Sequence, residues 1–266
     1  MGIYSQAAGE SFVGLLDTYS GAAVAYSLRR LATAYTGNFI KVRRSSDNAE
    51  LDIGYNSLNQ LDTVALLAHV GTGGSDNGFV TTWYDQSGNS NNALNTTASR
   101  QPQIVIAGVV IMDNGKPTIQ HSSQWLTKAI TLTQPLTTFY VRKTRSIGGT
   151  TVSLGLNTSG SQVYALINSG GTMRSYYGAY LQSSSENTNQ GIWYSLGNGA
   201  SSVIGENGSI TTGNAGTVGA NIISIGSVNG SFPAPVNSQE VILYAANKNS
   251  DRTGIETNQN DFYTIY

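Results

Sequence analysis

The chain has 266 residues, 31 of them glycine, with only 11% charged side chains, no cysteine and a formal net charge of −1. That length buries a substantial core in one all-β domain, and the neutral, turn-rich composition argues against a helical enzyme. The charge balance gives no field to gather nucleic acid or anionic lipid, the missing cysteines exclude disulfides and thiolate metal sites, and no apolar run approaches the roughly 18 residues needed for membrane insertion.

The opening MGIYSQAAGE lacks the basic end and apolar stretch of a secretory leader. Residues 1–14 are expected to form an N-terminal arm, and release by lysis as part of a particle is the expected route outward. From Ala22 to Tyr35, apolar residues at Val24, Leu28, Leu31 and Tyr35 share one helical face. Arg29 and Arg30 lie off that stripe and Gly37 supplies a stop, so an amphipathic helix is predicted there.

A series of short strands follows. Phe39–Arg43 and Val80–Tyr84 are rich in β-branched and aromatic residues, and Gln103–Met112 is an apolar run broken by Gly108. Asn114-Gly115 marks a tight turn before Pro117–Gln120. Strands are then predicted at Thr137–Arg142, Thr151–Leu156, Gln162–Ile167, Met173–Tyr180, Trp193–Leu196 and Ser202–Ile204. Asn207-Gly208 is a second tight turn, and Ile222–Ile225 and Glu240–Tyr244 complete the set. A C-terminal helix starting near Ser250 places Ile255, Gln259, Phe262 and Tyr266 on one side. So many short strands between turns predict two antiparallel sheets packed face to face. With no repeat or linker visible, residues 1–266 are read as one domain.

Leu15–Asp52 reads LLDTYSGAAVAYSLRRLATAYTGNFIKVRRSSDNAELD, and Thr81–Asn92 reads TTWYDQSGNSNN. This pairing resembles the amino-terminal part of the family-54 α-L-arabinofuranosidase catalytic domain. It is also similar to concanavalin A-like sandwich domains of bacteriophage particle proteins. QPQIVIAGVVIMDNGKPTIQHSSQWL, from Gln101 to Leu126, resembles the laminin-G-like opening of such sandwiches, and Glu240–Tyr266 resembles their ending. The resemblance implies an all-β, two-sheet antiparallel jelly roll with an N-terminal amphipathic helix and a short C-terminal one.

A glycosidase needs two carboxylates, about 5–5.5 Å apart for retention or about 6.5–9.5 Å for inversion. The resemblance implies a nucleophilic Glu on a mid-domain strand, around Tyr164–Tyr180, where the chain offers only neutral residues and Arg174. No acidic residue lies between Asp113 and Glu186. Glu186 and Glu206 remain as a replacement pair, but both sit in Ser/Asn/Gly-rich sequence where exposed carboxylates are the default. No catalytic residue is therefore assigned.

Asp85, in Tyr84-Asp85-Gln86-Ser87-Gly88, is expected to fix its turn by accepting backbone amides. Calcium is the alternative role, with Asn89, Asn91 and Asn92 as further oxygen donors; no metal or other cofactor is assigned. Two histidines, His69 and His121, fall short of a zinc set. Arg142, Lys143 and Arg145 read as a solvated rim. The aromatic signal lies in MRSYYGAY, where Tyr176 and Tyr180 share a strand face and Tyr177 points the other way. With the neutral QSSSENTNQG segment beside them, Tyr176 and Tyr180 are the expected carbohydrate contacts.

These readings favour a non-catalytic virion protein on a phage particle exterior, as head decoration, fibre or tail-associated subunit. Its expected partners are other virion proteins, further copies of itself in a homo-oligomer and a host-surface glycan. The alternatives are an arabinofuranosidase-type glycoside hydrolase and a free lectin-like module.

Overall fold

The computed structural model describes residues 12–74, 76–158 and 163–266. The expected N-terminal arm therefore lies outside the described residues up to residue 11, as does Gln162 at the start of one predicted strand. The described chain is an all-β antiparallel sandwich with few helices: α1 at Leu15–Thr18, α2 at Thr63–Val70 and α3 at Arg252–Tyr263.

Three long strands form its centre. Leu136–Thr144 pairs on one side with Gln190–Gly197 and on the other with Val236–Tyr244. Nearly every residue of the three is buried, because both faces are covered. On the inner face Tyr140, Trp193, Val241 and Leu243 join the main core with Ile40, Trp83, Ile104 and Ile223 from elsewhere in the sandwich. On the outer face Phe139, Tyr194, Ile242 and Tyr244 pack with Leu15 and Leu16 of α1 and Ile255 of α3. Alternation along each strand divides these two sets.

The amphipathic helix predicted over Ala22–Tyr35 does not form. Val24–Ser27 is a strand, paired residue by residue with Glu240–Leu243. The turn at Asp85-Gln86 holds this segment extended. Asp85 Oδ1 accepts from the amide of Ala25 at 2.8 Å, and Gln86 Oε1 accepts from that of Leu31 at 2.8 Å. Gln86 Nε2 donates to the carbonyls of Ser27 and Arg29. These tertiary bonds take backbone groups that a helix would need internally, and tertiary context overrides the spacing.

Asp85 itself has the structural role expected of it. Beyond Ala25 it accepts from the Ser87 amide at 2.9 Å, the Ser87 hydroxyl at 2.7 Å and the Asn91 amide at 2.9 Å. Four donors saturate a 5% exposed carboxylate.

The two Asn-Gly turns form as predicted. Asn114-Gly115 joins Met112–Asp113 to Lys116–Pro117, and Asn207-Gly208 joins Ser202–Glu206 to Ser209–Gly213. All four turn residues have positive φ, as a two-residue hairpin of this kind requires. Met173–Tyr180 is corrected from one strand to a hairpin, Thr172–Tyr176 and Tyr180–Ser185. Gly178, at φ +112°, lies in the turn between them.

Helix α3 lies over a buried ion pair. Arg29 Nε meets Glu240 Oε2 at 2.8 Å, with the two side chains 9% and 0% exposed. Gln259 of α3 donates to Glu240 at 3.0 Å, Tyr263 donates to it at 3.3 Å, and Arg29 stacks on Phe262. Burial alone would raise the Glu240 carboxyl, but the Arg29 charge and the bonds from Arg29, Gln259 and Ser27 outweigh it and hold it below its ordinary range.

Candidate active site

Glu206 ends the strand Ser202–Glu206, opposite Trp193 in the ladder with Gln190–Gly197. The adjoining tight turn is locked to the same neighbour: Asn207 Oδ1 accepts from the Ile192 amide at 2.8 Å, and the Asn207 amide donates back to Ile192 at 2.9 Å. Glu206 opens into a cleft of about 440 Å³, lined also by Ser183, Ser184, Ser209, Ile210 and Thr211. Gly191 makes room for it, since a Cβ there would come within 2.6 Å of Glu206 Oε1.

Glu186 lies just behind. Its Oε1 accepts from Arg142 Nη1 and Nη2, each at 3.2 Å, and from the Thr144 hydroxyl, while Oε2 has no hydrogen-bond partner among the described residues. The Arg142 guanidinium stacks 4.9 Å from the Trp193 ring centre. Asn187, next in sequence, donates from Nδ2 to both Glu206 oxygens at 3.2 Å.

The expectation of two solvated turn carboxylates is thus corrected: the Glu186 side chain is 1% exposed and Glu206 is part-buried. Arg142, placed by sequence on a solvated rim, is 2% exposed. Strand alternation turns it inward onto Trp193 while Lys143 faces out. Burial pushes the Glu206 carboxyl above its ordinary value. The Glu186 charge adds to that rise, and the Asn187 bond, the Arg142 charge and the Ser184 bond reduce it without cancelling it. One carboxylate gripped by a cation beside another biased toward its acid form is an arrangement suited to acid–base work.

The predicted sugar contacts, Tyr176 and Tyr180, face each other across the Thr172–Tyr180 hairpin with ring centres 4.6 Å apart. Tyr164 lies 5.9 Å beyond Tyr176, and Arg174 sits 5.4 Å from the Tyr180 ring centre. Tyr180 is 54% exposed, whereas Tyr177 is buried against Gly197. The strand carrying Tyr180 also carries Ser183 and Ser184 of the Glu206 cleft.

Residues 17–114 match the family model described as "Alpha-L-arabinofuranosidase B, catalytic". Among solved structures, a glutamate-to-glutamine mutant of a family-54 α-L-arabinofuranosidase soaked with 4-nitrophenyl α-L-arabinofuranoside shares the fold at TM-score 0.73 and 15% identity. An arabinofuranosidase complexed with arabinofuranosyl-α-1,2-xylobiose matches at TM-score 0.70 and 15% identity. Each match covers 92% of this chain and 64% of the other, so the chain spans under two thirds of those structures' length. No curated protein matches the sequence.

These findings overturn the expectation of a non-catalytic protein, because the matched family is a catalytic domain and the shared fold is that of hydrolases. They favour the hydrolase alternative over a particle subunit. The chain carries a domain resembling the catalytic domain of family-54 α-L-arabinofuranosidases.

Proposed function

We propose that the protein is a glycoside hydrolase of α-L-arabinofuranosidase type, with Glu206 as proton donor. The observation that carries this is a part-buried glutamate with a raised pKa, lining a cleft beside a second carboxylate, in a domain of this resemblance. Glu206 protonates the departing glycosidic oxygen. Glu186 supplies the second carboxylate, oriented by Arg142 and Thr144, with Oε2 free of any hydrogen bond among the described residues. Its side chain is nearly fully covered, so the reading requires the site to open when substrate enters. The anomer of the released arabinose reports whether Glu186 attacks directly or through water.

The finer expectation of a jelly roll belongs to the same proposal, as does a glycan track over Tyr176 and Tyr180. Tyr180 stacks an apolar sugar face three residues before the cleft-lining Ser183, which leads a polysaccharide branch toward Glu206.

The experiment compares the wild type with Glu206→Gln and Glu186→Gln on arabinofuranosyl-xylobiose. Hydrolysis lost in both variants, with folding intact, is the expected result. Full activity in either variant removes that residue from its role.

A further inference from the structure

The outer face of the central sheet holds a second polar cleft, opposite the side to which Arg142 turns. Lys143 pairs in register with Asn237 on one neighbouring strand and with Gln190 on the other, so the three side chains share that face. A cleft of about 280 Å³ is lined there by Asn114, Lys143, Thr188, Asn189, Gln190 and Ile265.

The hydrogen bonds fix the orientation of each amide. Gln239 Nε2 donates to the carbonyls of Asp113, Lys116 and Pro117, each at 3.2 Å, which can only accept. Gln239 Oε1 is therefore the acceptor toward Gln190, and Gln190 presents Nε2 to it. That leaves Gln190 Oε1 with no partner among the described residues, on a residue only 8% exposed that lines the cleft. The same logic applies to Asn237. Its Nδ2 donates to the Asp113 carboxylate at 2.8 Å, so Oδ1 is the oxygen left unpaired, on a 6% exposed residue.

Two buried acceptors on one face call for hydroxyl or amide donors, because an unpaired buried carbonyl is costly. Charge is not what the cleft selects: Lys143 lies 3.4 Å from Asp113, and the remaining polar lining is amide and hydroxyl. The volume is small, below the range that takes drug-sized ligands, and suits one ring bearing several hydroxyls.

We infer that this cleft is a second saccharide-binding subsite, in which a sugar hydroxyl donates to Gln190 Oε1. Binding there requires no turnover at Glu206. The segment Glu186–Gln190 links the two, with Asn187 bonded to Glu206 and Gln190 lining this cleft.

The test is an NMR titration of the full chain carrying Glu206→Gln, with xylobiose and arabinofuranosyl-xylobiose as probes, so that no probe is consumed whether or not the wild type hydrolyses it. Saturable shifts at Lys143, Gln190 and Asn237 are expected, with affinity falling about tenfold in Gln190→Leu. Asn189→Ala, on the exposed rim, weakens binding as well and keeps the test readable should Gln190→Leu fail to fold. Shifts confined to the Glu206 cleft, or an affinity untouched by both substitutions, overturn the inference. So does a crystal soaked with either probe that shows only water on Gln190 Oε1.

Discussion

Burial raises the Glu206 carboxyl, and the two bonds from Asn187 resist that rise by favouring the ionised form. Removing them with Asn187→Leu raises the pKa further. A proton donor is lost as pH climbs through its pKa, so the alkaline limb of the kcat/KM profile should move to higher pH in this variant. An unmoved or lowered limb would show that Glu206 does not set it. Asp85 makes the opposite kind of contribution, since its carboxylate is taken up by backbone amides and the Ser87 hydroxyl. Asp85→Ala leaves the buried amide of Ala25 and the part-buried amides of Ser87 and Asn91 short of an acceptor, and should lower unfolding free energy by about 3 kcal/mol or more. Denaturant unfolding checks this; a change within error would place the turn's stability elsewhere.

Among the elements, α3 is tied to the sheet through the buried Arg29–Glu240 pair beneath it. Arg29→Met leaves Glu240 buried and unpaired, which should destabilise the fold by about 3–5 kcal/mol. Arg29→Met with Glu240→Leu should recover much of that loss. A double variant no better than the single one would contradict the ion-pair account. These elements also show what local pattern can and cannot reveal. The Asn-Gly turns were legible because a two-residue hairpin demands positive φ, and much of the central strands because Thr137–Arg142, Trp193–Leu196 and Glu240–Tyr244 are rich in β-branched and aromatic residues. Val24–Ser27 was misread because a segment buried on all sides has no alternation to betray a strand. Glu186 and Glu206 could be weighed as a pair, but their burial could not be read from flanking serines and asparagines. It comes from Arg142 and Trp193 on neighbouring strands, and from the absence of a side chain at Gly191.

For the whole molecule, acid is the condition that tests the core. His121 is fully buried, and desolvation, with the Arg145 charge adding to it, lowers its pKa to about 4. The unfolded chain takes up that proton near pH 6.5, so stability is complete above that pH and falls as pH drops toward 4, by about 3 kcal/mol from this group. Glu240, with a lowered pKa, loses its contribution in the same direction but further into acid, below the ordinary glutamate value. Unfolding free energies measured between pH 7 and 4 should decline steadily; a flat profile would contradict the buried neutral imidazole. Whether Glu206 is the proton donor of a hydrolase shows most directly in kcat/KM on two substrates. Arabinofuranosyl-xylobiose needs its leaving oxygen protonated, whereas 4-nitrophenyl α-L-arabinofuranoside has a leaving group that needs little help. The wild type should cleave both, and Glu206→Gln should lose about 10²- to 10⁴-fold in kcat/KM on the first and far less on the second. No cleavage of either substrate by the wild type, or equal losses on both in Glu206→Gln, would contradict it.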